Sequence, residues 1–168
     1  MVFKGSSFPT PVAVITTMKE GILNAAPVTW FTPISYDPPL LIVSLKPKTD
    51  TAKNITITTE FTLQTVPYKI AQKVHNMAAP YSEDISEPDA VGLKYEKTDL
   101  CPVPYLVDSL AWFYCKTKSM HLLGDHYQFV AEVMASRKCF SQKNALLSLG
   151  GSHYGWIVEE TFFEVDRY

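Results

Sequence analysis

The chain has 168 residues, with 15 basic and 17 acidic side chains giving a net charge of −2; 19% of residues are charged and 12% aromatic. At roughly 150 residues per domain that is one domain, large enough to bury about two-thirds of its unfolded surface without disulfide staples. The aromatic content excludes a disordered chain, the missing basic surplus argues against a nucleic-acid binder that lives on phosphate contacts, and so little charge implies apolar surface covered by something else.

In chain order, Pro11–Thr17 is a continuous β-branched run and reads as a strand, and Lys19-Glu20-Gly21 makes a short turn, so a hairpin with the following stretch is expected. Ile22–Tyr36 alternates loosely, ending at Asp37-Pro38-Pro39, where proline cannot donate to a ladder. Leu40–Leu45 is an apolar run with the character of a buried strand. The Thr/Asp cluster before Ala52-Lys53-Asn54-Ile55 suits a helix N-cap, although the β-branched tail Thr56–Thr59 argues for a short helix. Phe61–Val66 alternates as a strand, and Pro67 is suited to the first position of a second helix. Ile70, Ala71, Val74, Met77 and Ala78 then share one helical face, the spacing of ordinary core packing.

From Pro80 to Pro104 the pattern dissolves into prolines and acids, with only Leu93–Lys97 resembling a strand; an excursion of this length (residues 80–104) reads as an arm, a lid or a solvated loop. Strand character returns at Leu110–Lys118, at His126–Ala135 and at Trp156–Val165. The expectation is one mainly β domain over 1–168, antiparallel, a barrel or a sandwich, with a few helices. Cys101, Cys115 and Cys139 have no CxxC spacing and leave at least one thiol unpaired, so a reducing cytoplasm is expected. The N-terminus lacks a signal-type apolar core, and no run approaches a membrane span.

The usual catalytic signatures, GxSxG, GxxxxGK[ST], GxGxxG and HExxH, are missing. Ser152 beside His153 is a weak nucleophile candidate, because sequence neighbours rarely face each other in a triad. His121, Asp125 and His126 lack an evident fourth ligand, so no metal site is expected. The segment with chemical content is Gly21–Asn54. Asn24-Ala25-Ala26-Pro27-Val28-Thr29-Trp30-Phe31 mixes small, hydrogen-bonding and aromatic residues on one strand, a pattern that admits a flat ligand and satisfies its heteroatoms. Ser44 to Asn54 runs from a strand into a presumed helix start rich in hydroxyls and lysines, which suits a phosphate. Taken alone, the first half also fits a plain strand start and the second a plain helix cap.

In their order, PVAVITT, GILNAAPVTWFTPISYDPPLLIVSL, DTAKNI and EFTLQTV resemble the flavin reductase-like, FMN-binding split-barrel proteins, and Gly124-Asp125-His126 followed by Phe129–Val133 resembles the family's GDH and F-x-G-E-V segment. The resemblance covers Pro11–Val133, with a weaker echo at Gly150-Gly151 and Tyr154. It implies a homodimer of split β-barrels with FMN, or alternatively FAD, near the subunit interface. It would put Asn24, Ala25, Ala26, Pro27, Val28, Thr29 and Trp30 along the isoalloxazine edge, partly through backbone groups, and Ser44, Lys48, Thr49, Thr51 and Asn54 on the ribityl chain and phosphate. His126 would stand at the flavin face where a nicotinamide stacks. Two departures matter: Thr49 stands where the family often has a basic residue, shifting phosphate charge to Lys48, Lys46 or Lys53, and Ala131 replaces a glycine.

The activity so implied is a flavin oxidoreductase that takes hydride from NADH or NADPH and passes electrons to free flavin, ferric iron or a partner protein. The cofactor carries the electron chemistry, which fits the lack of a protein catalytic constellation. The alternatives are a non-enzymatic FMN storage or electron-relay protein, and a barrel that binds no flavin and serves as an interaction module. Trp30, Tyr154 and Trp156 are candidate neighbours of a flavin ring, and an obligate dimer would account for the missing surface charge.

Overall fold

Glu20 and Gly21 both take positive φ, 52° and 80°, the conformation of a two-residue turn whose twist matches paired strands. They join β2 (Ala13–Lys19) to β3 (Ile22–Val28) in register from Lys19↔Ile22 to Ala13↔Val28. The computed structural model describes residues 8–78, 92–138, 144–150 and 153–156. Its remaining strands are β1 (Thr10–Pro11), β4 (Phe31–Tyr36), β5 (Pro39–Leu45), β6 (Glu60–Thr65), β7 (Tyr95–Thr98), β8 (Cys101–Leu106), β9 (Ala111–Leu123), β10 (His126–Lys138), β11 (Leu147–Gly150) and β12 (His153–Gly155); the helices are α1 (Asp50–Thr58) and α2 (Ala71–Ala78).

Seven strands form one antiparallel sheet in the order β3-β2-β6-β9-β10-β5-β4. Its two edge strands, β3 and β4, are consecutive in the chain and joined by Thr29 and Trp30 alone. A flat sheet would hold those edges about 29 Å apart, six spacings of about 4.8 Å, whereas three Cα steps from Val28 to Phe31 span at most about 11 Å. The sheet must therefore curl into a barrel with a seam at Thr29–Trp30. Its interior is the main core, with Ile15, Val43, Phe61 and Phe129 fully buried, and α1 closes one end through Ala52 and Ile55.

Alternation along β2 and β6 assigns two faces to each strand. Ala13, Ile15, Phe61 and Leu63 face the barrel, while Val14 packs outward with Val66, Ile70, Val74 and Leu106 in a second cluster that seats α2. On that outer face Thr16, Thr62 and Gln64, all fully buried, reach β8: the Thr16 hydroxyl bonds Pro104 O, Thr62 Oγ1 donates to Val103 O at 2.9 Å, and Leu106 N–H donates to Gln64 Oε1 at 2.8 Å.

The mainly β antiparallel architecture agrees with the sequence expectation, and four local features differ from it. Ile22–Tyr36 is two strands on opposite sheet edges, because the chain crosses the seam. Cys101–Leu106, within and just beyond the excursion 80–104, is strand β8; its prolines are tolerated because, among the described strands, β8 pairs only with β7. The helix α1 runs through its β-branched tail to Thr58, since Thr56 and Thr58 hydroxyls donate to the carbonyls of Ala52 and Asn54 and Thr59 caps the end at φ 61°. Pro67 is extended and precedes a 3₁₀ turn, Tyr68–Ile70, rather than opening α2 itself. Of the expected helical stripe, Ile70 and Val74 are buried and Ala71 and Met77 pack beside them; the side chain of Ala78, residues 79–91 and the expected strand beyond Trp156 lie outside the described residues.

Candidate functional site

The hairpin β9–β10 turns at Gly124-Asp125, with φ 64° at Gly124 and His126 paired to Leu123 across the turn. Asp125 Oδ1 accepts from His126 Nδ1 at 2.7 Å; the imidazole is 12% exposed and the carboxylate 87%. That hydrogen bond, followed by the imidazole's charge, holds the Asp125 carboxyl below the usual carboxylate range, with Lys46 adding a smaller pull. The bond also leaves Nε2 as the free nitrogen of the ring. On the β5 side of the seam the Trp30 indole lies against His126, ring centroids 4.8 Å apart and planes tilted by 36°.

Beside this pair is a cleft of about 360 Å³ lined by Thr10, Thr29, Trp30, Phe31, Ser44 and Gln128, among others. Gln128 Nε2 donates to Ser44 Oγ at 2.9 Å, in register across β10 and β5. The cleft thus has flat aromatic walls and a hydroxyl–amide pair, the composition that suits a planar heterocycle.

The second half of the site is the start of α1. Thr49 is its N-cap: the hydroxyl accepts from Ala52 N–H at 3.2 Å and donates to Lys46 O at 2.9 Å. Lys46, Lys48 and Thr49 are exposed, whereas Lys53 is paired with Asp50 at 2.7 Å. Of the lysines named from sequence, Lys53 is thus already neutralised. Thr51 is buried and joins a polar knot with Thr17, Asn24 and Asn54.

The structure therefore brings Thr29, Trp30 and Ser44 to one cleft with His126 beside it, and Asn24, Thr51 and Asn54 to one knot. Ala25 instead packs toward α2, and Val28 is buried in the barrel core, so their side chains do not line the cleft. Ala131, where the family has glycine, is fully buried in the same core. Tyr154 bonds His75 Nδ1 at 3.0 Å and Trp156 lies against Tyr68 with centroids 4.2 Å apart and planes tilted by 42°; both belong to the α2 side rather than the cleft. Thr17 and Gln128 were missed from sequence; Gln128 carries a signal, since it lies two residues after His126 and so on the same face. His121 bonds Ser119, and the described residues hold no group of three or more His, Cys, Asp or Glu placed to bind a metal. Ser152 lies outside the described residues. Cys101 and Cys115 are free, buried thiols, both pushed up by desolvation. No described helix is long and apolar enough to cross a membrane.

A mainly β chain whose seven-stranded antiparallel sheet curls into a barrel has the fold of the FMN-binding split-barrel proteins. The profile of the flavin reductase like domain matches residues 5–157, and the chain belongs to that family. It is similar to an FMN-binding protein from Thermus thermophilus solved with bound p-hydroxybenzaldehyde, at 28% identity and TM-score 0.84 over 94% of this chain and 91% of that one. It is similar as well to the styrene monooxygenase flavin reductase of Pseudomonas putida S12, at 25% identity and TM-score 0.79 over 94% and 96%. The uncharacterised protein YwrF of Bacillus subtilis is 28% identical over 95% of this chain and 89% of its own length; further curated relatives are matched over only 58–60% of theirs.

Proposed function

We propose that the protein is a flavin oxidoreductase that holds FMN with the ring in the Thr29–Phe31 cleft and the phosphate at the exposed start of α1, and that it takes electrons from NADH or NADPH. The observation that carries this reading is the Trp30–His126 pair at the mouth of an aromatic cleft, with the imidazole oriented by Asp125. The family match supports it, as do relatives whose names state FMN binding and flavin reduction.

The residues present suit the group. Trp30 and Phe31 offer ring faces, Ser44 and Gln128 offer polar atoms, and Lys48 with the first-turn N–H groups of α1 beyond the Thr49 cap suits a phosphate. When bound, FMN supplies a two-electron acceptor that also releases single electrons. Among the protein's own groups, His126 Nε2 donates to or accepts from the carboxamide of a nicotinamide at the cleft mouth, while Asp125 keeps the ring from rotating. The walls of the cleft exclude water from the reacting face. Free flavin, ferric iron or a partner protein receives the electrons.

A dimer belongs to the same reading. An apolar recess of about 390 Å³ lined by Phe31, Pro33, Tyr36, Leu40, Phe113 and Val133 lies next to the cleft, and Tyr36 at its rim is 99% exposed. Covering that face with a second copy would bury apolar surface that a monomer leaves in water. A second acceptor class is favoured by one observation: the Thermus protein also holds cyclohex-2-enone, so small flat carbonyl compounds are candidates for the same cleft.

The test is anaerobic addition of NADH and of NADPH to purified, FMN-loaded protein. Bleaching of the visible flavin band with either is expected. A band that neither reductant bleaches leaves a storage or relay role and removes the reductase. Protein that cannot be loaded with FMN removes both.

A further inference from the structure

Thr17 stands between the two segments on which the proposed FMN site draws. It lies on β2, fully buried, and touches neither the cleft nor the exposed start of α1. Its Oγ1 accepts from Asn54 Nδ2 of α1 at 3.0 Å and from Asn24 Nδ2 of β3 at 3.3 Å. Asn24 Nδ2 also donates to Thr51 Oγ1, in the first turn of α1, at 2.9 Å. A hydroxyl oxygen has two acceptor lone pairs, and the two amides take both. One buried atom therefore joins the strand that leads into the cleft to the helix whose first turn is the proposed phosphate seat.

Elsewhere α1 meets the barrel through the apolar Ala52 and Ile55 and, at its C-terminal end, through Thr56 Oγ1, 3.5 Å from Met120 Sδ, and through Thr117 N–H, which donates to Thr59 O at 2.7 Å. Apolar burial is non-directional: it fixes how deeply the helix sits but not how it is rotated about its own axis. Hydrogen bonds are directional, and those of Thr17 and of Asn24, which Thr17 holds, reach α1 at Asn54 and at Thr51, nearly one helical turn apart. Together they fix the rotation, and with it the direction of the N–H groups and of Thr49 at the helix start. The adjacent Thr16 points to the opposite face and bonds Gln64 and Pro104, so it cannot substitute.

We propose that Thr17 is a positioning residue that sets the spacing between the ring seat at Thr29–Phe31 and the phosphate seat at the start of α1, and so governs selectivity for phosphorylated flavin over riboflavin. The proposal rests on the FMN reading above. Its distinguishing readout is a ratio, because a threonine that served stability alone would weaken both ligands equally.

The experiment titrates FMN and riboflavin separately into flavin-free wild-type protein, Thr17→Val and Thr17→Ser, following quenching of flavin fluorescence. Wild type is expected to bind FMN at least tenfold more tightly than riboflavin. Thr17→Val keeps the side-chain shape and removes the acceptor; it is expected to lower the preference about tenfold while riboflavin affinity changes less than twofold. Thr17→Ser, which keeps the hydroxyl, is expected to retain the preference. If Thr17→Val does not fold, Asn54→Ala carries the same test, since it removes one donor at a half-buried helix position where alanine is the better helix former. An unchanged ratio in the variant, or equal losses for both ligands, overturns the proposal while leaving the FMN site standing. Wild-type protein that binds both flavins equally overturns the phosphate seat and the proposal together. Wild-type protein that binds neither overturns the FMN reading itself.

Discussion

Replacing Gln64 by leucine probes the polar seam that fastens β8 to the barrel. Gln64 is fully buried; its Nε2 donates to Thr16 Oγ1 and to Thr62 O, each at 2.8 Å, and its Oε1 accepts from Leu106 N–H at 2.8 Å. Leucine fills a similar volume, so packing contributes little. The main cost is the Leu106 N–H, left without its acceptor in a fully buried residue, about 1–3 kcal/mol. The two lost donations add about 0.5–1.5 kcal/mol each, for a sum of about 2–6 kcal/mol. Near the middle of that range, about 4 kcal/mol, the melting temperature falls by about 8–16 °C, at about 2–4 °C per kcal/mol for a chain of this size. Equilibrium urea unfolding followed by tryptophan fluorescence measures the loss, with an unchanged slope expected. Hydrogen exchange at the Leu106 amide should accelerate as well. A loss below about 1 kcal/mol would show that water or backbone rearrangement satisfies Leu106, and would refute the reasoning.

Trp30→Ala should weaken FMN binding about tenfold, or about 1.4 kcal/mol, through loss of a stacking wall; fluorescence titration checks this, and unchanged affinity would move the ring seat elsewhere. The Asp125 carboxyl lies below its ordinary value, so its pairing with His126 is complete above the usual carboxylate pKa of about 3.9 and is lost as pH falls through the lower folded value. A ¹³C titration of the Asp125 carboxyl should therefore show a midpoint below that figure, and one at or above it would contradict the pairing. Cys101 and Cys115 are buried with their thiols pushed up, hence protonated and shielded: peptide mapping after iodoacetamide at pH 8 should find both unmodified in folded protein and alkylated in urea. Size-exclusion chromatography with light scattering at micromolar concentration should return twice the 18.9 kDa chain mass, and a monomer would remove the dimer from the proposal.

The strands were legible where alternation or β-branching ran unbroken, as in Ala13–Lys19 and Pro39–Leu45. The turn at Glu20-Gly21 was legible because glycine tolerates the required φ. Sequence patterning was silent on the seam: nothing in Val28-Thr29-Trp30-Phe31 marks the point where the chain leaves one sheet edge for the other, since that is a property of the closed sheet and not of local propensity. The strand Cys101–Leu106 was hidden by Pro102 and Pro104, which local rules read as loop and which an edge strand accommodates. In the site, Trp30 and Ser44 were named and line the cleft, because aromatic and polar residues on a strand carry a local signal, while His126, named from the family resemblance, stands beside it. Thr17 was not, because it looks like one more β-branched strand residue until register places it opposite Asn24. Thr51 and Asn54 were named for a phosphate, and their side chains turn out to face inward to Thr17.

The seam at Thr29–Trp30 has one more consequence. Strands β3 and β4 end the sheet, and neither has a second neighbouring strand among the described residues. An edge strand leaves a row of backbone donors and acceptors pointing at empty space, and proteins generally cover such rows because another chain can pair with them. A heterocycle with carbonyl and imide groups along one side can present the same sequence of acceptors and donors as a peptide. A flavin bound as proposed, at Thr29–Phe31, would cover the end of β4 that lies nearest the seam. On that account, losing the cofactor exposes a sticky edge, and the apoprotein should self-associate more readily than the loaded form.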